Sequence, residues 1–240
     1  MKKVEFWEER LIYKTYAGSY SYGTTTEDSD EDFRGVCIPP ENYLLGLDVF
    51  EQKEYKEFDM IIYSLEKLVR LALQNNPNII DILFVEPSHI IYIDELGEEL
   101  RKLRYDFLSK KIYKTYGGFA YSQLKKMVSV DKNAKGKRIE YIQKYGYDTK
   151  NAMHLIRLMN MAIEVLMEGE LNVFRHDNEY LLDIRKGKYT KEEIESEYKR
   201  LKQLLDQAYV KSILPDKPNY EKVNNWLVSA HKRCLDYRIA

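Results

Sequence analysis

The hydrophobic pattern of this chain changes period along its length, and that change limits the folds open to it. Up to about residue 64 the apolar residues come in short β-type runs separated by turn residues: Leu11 to Tyr16, Phe33 to Ile38 and Tyr55 to Tyr63. From about residue 95 they recur every three or four positions, in segments 95–108, 114–130, 149–168, 191–210 and 219–235. Between these regions, Leu65, Leu68, Val69, Ala72 and Leu73 repeat at helical spacing. Asn76-Pro77 ends that helix or opens the next turn, because proline disfavours helical geometry in the residue before it. Residues 79–85 fit a short helix or a strand equally well. A helix is conceivable over 8–17, but the β-rich run before Gly18 favours a strand. The pattern predicts an α+β chain: a small sheet-and-helix domain over 1–110 and a helical domain over 111–240.

Local signals agree. Thr190 followed by Glu193 has the form of a capping box. Gly169 falls where a left-handed C-terminal cap would sit. With 44% hydrophobic residues the chain can bury a real core, which excludes wholesale disorder. Lys and Arg total 38 against 39 Asp and Glu, which excludes a globally basic nucleic-acid binder but not a local basic groove. The start, MKKVEFWEER, carries charge where a secretory signal needs an apolar core. No run approaches the roughly eighteen apolar residues of a membrane helix. The expected location is cytoplasmic, with no membrane partner. Cys37 and Cys234 read as free thiols, and the histidines and cysteines lack the paired spacings of a zinc site. The 21 tyrosines read as amphipathic filler in a Lys-, Ile- and Tyr-rich chain rather than as stacking platforms for bases.

The chemistry concentrates between Ala17 and Ile38, AGSYSYGTTTEDSDEDFRGVCI. Gly18-Ser19 closes a strand-like segment, residues 20 to 29 intervene, and Asp30-Glu31-Asp32 opens the next apolar run. If that strand begins at or before residue 30, alternation puts Asp30 and Asp32 on one face and Glu31 on the other. Two adjacent carboxylates repel unless a cation sits between them. Magnesium suits such a pair, since it takes oxygen ligands and keeps waters and substrate phosphates in its other positions. Gly18 would let the backbone approach a phosphate closely, its N–H groups and the Ser19 hydroxyl acting as donors. Residues 20 to 23 could form a short helix aimed at those phosphates.

This spacing resembles the signature of the DNA polymerase beta nucleotidyltransferase superfamily, a Gly-Ser, about ten residues, then two acids separated by one. The chain looks closest to the RNA-repair-associated branch of predicted nucleotidyltransferases. The likeness takes in SDEDFRGV at 29–36, LEKLVRLALQNNPNIIDILF at 65–84 and FLSKK at 107–111. It continues through YGGFAYSQL at 116–124 and DTKNAMHLIRL at 148–158, and so covers about residues 10–185. It implies a polymerase-beta-like sheet-and-helix domain followed by a helical one. It also implies a third carboxylate, for which Asp59 is the natural match and Glu57 the rival. With those acids go two magnesium ions, for which manganese can substitute, and transfer of a nucleoside monophosphate from a triphosphate such as ATP to an acceptor hydroxyl. Asp30 and Asp32 would bridge the metals, Asp59 would hold the acceptor-side ion, and Gly18 and Ser19 would grip the β- and γ-phosphates.

A second cluster is expected to complete the nucleotide or acceptor site. On the helix from Thr149, capped by Asp148 or Thr149, Lys150, His154 and Arg157 fall at helical spacing on one face. Two cations beside a histidine lower its pKa unless an anion is near. Lys125, Lys126, Lys132, Lys135, Lys137 and Arg138 form a basic run that fits a nucleic-acid backbone or a solvated loop. Asn76, Asp81 and His89 are read as packing or turn residues. The expected acceptor is an RNA end. The alternatives are transfer of AMP to a protein, as in toxin–antitoxin pairs, transfer to a small molecule, and a non-catalytic nucleotide-binding module.

Overall fold

A computed structural model describes residues 5–27, 29–129 and 137–236. In chain order the elements begin with α1 (Phe6–Glu9), β1 (Leu11–Ala17), α2 (Gly18–Tyr22), β2 (Asp32–Cys37), α3 (Glu41–Leu44) and β3 (Gln52–Tyr55). There follow β4 (Met60–Ser64), α4 (Leu65–Leu73), α5 (Pro77–Phe84), β5 (Ile90–Ile93) and α6 (Glu95–Lys102). The remainder is helical: α7 (Ile112–Val128), α8 (Lys137–Tyr145), α9 (Thr149–Glu168), α10 (Asn178–Arg185), α11 (Lys191–Lys211) and α12 (Tyr220–Asp236). They group into two compact units. One holds the described residues up to Leu108 together with those from Lys217 onward, and the other runs from Ser109 to Asp216.

The first unit is built on a five-stranded mixed sheet in the order β3-β4-β2-β1-β5. β1 is rich in β-branched and aromatic residues, which suit a pleated surface, and pairs antiparallel with both β2 and β5. β2 pairs parallel with β4, Phe33 opposite Met60. Tyr13 and Thr15 point to the covered face and are fully buried. The Tyr13 hydroxyl donates to the Ile82 carbonyl of α5 at 2.8 Å, and burial pushes that phenol up to about 12. The Ser64 hydroxyl caps α4 by accepting from the Lys67 amide at 3.2 Å.

The segment Tyr55 to Tyr63 is not one strand. β3 and β4 form a hairpin, Tyr55 opposite Met60, around a 3-10 turn at Lys56–Phe58, with Asp59 in the left-handed region at φ 42°. Aspartate tolerates that conformation better than most residues, which is why the chain can reverse there. β5 carries no alternation that the sequence reading detected. Residues 79–84 resolve as helix, with Val85 just past its end: Asn76 caps α5 by accepting from the Asn78 amide at 3.1 Å, and Pro77 occupies the first turn, where its missing N–H is no loss.

The C-terminal helix departs from the expected 111–240 grouping, since α12 counts with the first unit. Glu99 of α6 accepts from the Trp226 indole at 2.7 Å and from both terminal nitrogens of Arg233, at 2.9 and 2.6 Å. That forked contact holds the Glu99 carboxyl below its ordinary pKa.

In the second unit α9 packs against α7, α10 and α11. Asp148 caps it, accepting from the Asn151 amide at 3.1 Å, and Gly169 ends it at φ 72°. Thr190 and Glu193 form the reciprocal capping box of α11. Arg175 is buried and pairs with Glu164 at 2.8 Å and Asp177 at 2.9 Å. Both cysteines are free, and burial pushes the Cys37 thiol up to about 12, which leaves it unreactive. Among the described residues no helix is long and apolar enough to cross a membrane.

Candidate active site

β1 ends at Ala17, which pairs with Asp32, the first residue of β2. The chain then turns directly into α2, with Gly18 at φ 60°. A β-carbon on Gly18 would lie 2.9 Å from Cγ and 3.3 Å from Cβ of Asp32, and still closer to one carboxylate oxygen. Glycine is thus required twice over, by the left-handed backbone and by the carboxylate pressed against it. The helix begins two residues earlier than the sequence suggested. Its N-cap residue, Ala17, contributes no side-chain hydrogen bond to the first turn, where Ser19 lies half-exposed. The Tyr22 hydroxyl donates to the buried Asp81 carboxylate at 2.7 Å and ties α2 to α5, a packing role for Asp81.

Asp30 does not share a strand with Asp32. It lies exposed in the loop before β2, because β1 has already left the sheet at Gly18 and β4 starts level with Phe33, so residue 30 has no strand to pair with. The loop is instead ordered by Ser29, whose hydroxyl accepts from the Thr26 amide at 2.8 Å. Asp28 lies outside the described residues.

Asp59 is exposed and sits one residue before Met60, as Asp32 sits one before Phe33, so the parallel pairing brings the two to the same level. Its carbonyl accepts from the Phe33 amide at 3.1 Å and from Arg34 Nη1 at 2.9 Å. Glu57 belongs to the 3-10 turn, so the alternation that made it a rival does not exist. Among the described residues no three of His, Cys, Asp or Glu gather into a group that could hold a metal ion, so Asp30, Asp32 and Asp59 do not form a preassembled cage.

In the helical unit Lys150 is exposed, His154 is half-buried, and Arg157 is 4% exposed, its Nη1 3.1 Å from Met161 Sδ. The three do not share one wet face, because α9 is wrapped by neighbours along most of its length. Burial lowers the His154 pKa to about 3, helped by Arg157, Lys150, Arg185 and Lys126, so the ring is neutral. Lys132 and Lys135 of the basic run lie outside the described residues. Lys125 and Lys126 are exposed, Lys125 standing 4.6 Å over the Tyr121 ring.

An aromatic group that the tyrosine count did not single out adjoins Gly18 and Asp32. Tyr16 stacks on Tyr20 at 5.4 Å and leans on Phe33 at 5.3 Å, and Lys14 Nζ lies 5.0 Å over Phe33. The available signal was positional: Lys14 and Tyr16 alternate on β1, and Phe33 follows the acid pair.

Residues 2–229 match the model of the RNA repair pathway DNA polymerase beta family, RlaP. The chain belongs to that family. An uncharacterised protein of Methanocaldococcus jannaschii, MJ0002, is 25% identical over 90% of this chain and 91% of its own length. The YcgL protein of Bacillus subtilis is 30% identical over 40% of this chain and 38% of its own length. An uncharacterised 38.9 kDa protein of phage T4 is 28% identical over 49% and 38%. The chain thus spans well under half the length of the last two. A nucleotidyltransferase-like protein of Exiguobacterium sibiricum overlaps 93% of this chain and 74% of its own, at 12% identity and a TM-score of 0.29. As an RlaP member the chain is a polymerase-beta-type nucleotidyltransferase by family, and its mixed sheet followed by a helical region is the α+β architecture expected.

Proposed function

We propose that this RlaP protein transfers a nucleoside monophosphate from a nucleoside triphosphate to a hydroxyl at an RNA end, releasing pyrophosphate. The observation that carries the reading is the contact between Gly18 and the Asp32 carboxylate. It joins the two halves of the family's signature, the glycine turn and the acid, in one place.

The donor set fits magnesium. Asp30 and Asp32 offer hard oxygen ligands, and this ion commonly takes one or two carboxylates and completes its shell with waters and substrate phosphates, so no closed cage is needed. When bound, the metal would supply Lewis-acid stabilisation of charge at the reacting phosphorus and the leaving group. The chain's own residues do the rest. Asp30 and Asp32 fix the metal position, and the Gly18–Ser19 backbone and the Ser19 hydroxyl hold the β- and γ-phosphates. Asp59, level with Asp32, serves the acceptor side and takes the hydroxyl proton. The acceptor oxygen bonds to the α-phosphorus as the bond to the bridging oxygen breaks, and pyrophosphate carries that electron pair away. Lys150, exposed on α9, provides a second, cationic locus for phosphate in the helical unit, with the neutral His154 ring one turn further on as a donor or acceptor, while the buried Arg157 takes no part.

Incubating the full chain with each labelled triphosphate, magnesium, and RNA, DNA, protein and aminoglycoside acceptors tests this. Label on RNA that disappears in Asp32→Asn supports it. Label on protein or aminoglycoside alone replaces the acceptor with one of the alternatives, and no label on any acceptor overturns the catalytic reading.

A further inference from the structure

The sheet of the first unit has one covered face and one that is partly open. Because directly paired residues share a face, Tyr92 of β5, Lys14 and Tyr16 of β1, and Phe33 of β2 all lie on the side opposite the buried Tyr13 and Thr15. Tyr92 is 47% exposed, and Lys14, Tyr16, Tyr20 and Phe33 are half-exposed. Tyr20 extends the row from α2 by stacking on Tyr16, their planes 17° apart.

We infer that this face is a stacking platform for unpaired nucleotides, the surface on which a single-stranded acceptor rests. Half-exposed rings offer flat π-surfaces to which any base can stack, and a lysine among them is placed for a phosphate. The platform also has a direction. Tyr16 is two residues before Gly18 and Phe33 is the residue after Asp32, so a strand lying on these rings ends beside the proposed phosphate and metal ligands.

The inference deepens the function proposed above by naming the state of the acceptor, single-stranded rather than duplex. Its test is read without triphosphate or metal, so binding and transfer can fail separately. Fluorescence anisotropy of the full chain would be measured with a short unstructured RNA, the DNA of the same sequence and the corresponding duplex. The platform requires both single strands, or the RNA alone, to bind more tightly than the duplex. Tyr92→Leu and Tyr16→Leu should each weaken single-strand binding about five- to hundredfold, while Tyr16→Phe binds like the wild type. Should Tyr16→Leu fail to fold, the exposed Tyr92 position decides. Duplex bound as tightly as single strand, no binding at all, or wild-type affinity in folded Tyr92→Leu would overturn the platform.

Discussion

Gly18 and Asp32 are packed so closely that the aspartate carboxylate occupies the volume a side chain on residue 18 would need. Gly18→Ala therefore has to move Asp32 as well as strain a left-handed backbone. The strain alone should lower stability by about 1–2 kcal/mol in a urea titration. Nucleotide transfer should fall far more than that loss explains. An Ala variant that is destabilised yet fully active would show that Asp32 has no fixed place in the reaction.

Asp30, Asp32 and Asp59 separate charge from fold in a simple way. All three are exposed or half-exposed, and asparagine tolerates the φ of 42° at residue 59. Asp30→Asn and Asp32→Asn should abolish turnover with an unchanged melting temperature. Asp59→Asn should slow transfer about a hundredfold or more while Glu57→Gln does not, measured as single-turnover rates. The reverse ranking would move the third carboxylate to Glu57.

The hydroxyl of Tyr22 holds α2 against α5 through Asp81. Tyr22→Phe removes that donor from a buried carboxylate, and stability should drop by about 1–3 kcal/mol. Since α2 carries Gly18 and Ser19, the KM for triphosphate should rise as well. A stability loss with unchanged KM would confine the contact to packing.

His154 makes the chain sensitive to acid. Its folded pKa of about 3 lies below the 6.5 it has when unfolded, so the unfolded chain binds more protons between those values. The sign follows: stability is complete above pH 6.5 and declines as pH falls toward 3. His231, lowered by burial in the first unit, adds a slope of the same sign. In urea titrations from pH 7 to 4.5, His154→Gln should have a visibly shallower decline than the wild type. An identical slope would mean that the ring is free to protonate in place.

Lys150 is the accessible member of the second cluster. Lys150→Ala should weaken triphosphate binding in isothermal titration while changing stability by less than about 0.5 kcal/mol. Unchanged affinity would remove phosphate binding from this helix.

Much of the architecture was legible because it rests on local signals. The β-type run before Gly18, the Asp148 cap, the Thr190–Glu193 box and the Gly169 terminus each depend on residues within a turn of one another. The spacing of Gly18-Ser19 from the acids led to the family, and the match over residues 2–229 agrees. What local pattern could not supply was partnership. Asp30 falls outside β2 because neighbouring strands end or begin elsewhere, and Tyr55 to Tyr63 breaks into a hairpin because Asp59 accepts a left-handed turn.

By itself, then, the sequence determined the long helices, the strands on either side of the Gly18 turn and the family, and it singled out the acidic and glycine residues proposed to carry the chemistry. Tertiary structure alone decided that Gly18 and Asp32 share one volume, that α12 joins the first unit through Glu99, and that Arg157 is buried. It also turned four unremarkable residues, Lys14, Tyr16, Tyr20 and Phe33, into one surface. The physical reason is range. Caps, turns and periodicity are set by neighbours along the chain, whereas burial and shared faces depend on which distant strand or helix arrives alongside, and no spacing rule encodes that arrival.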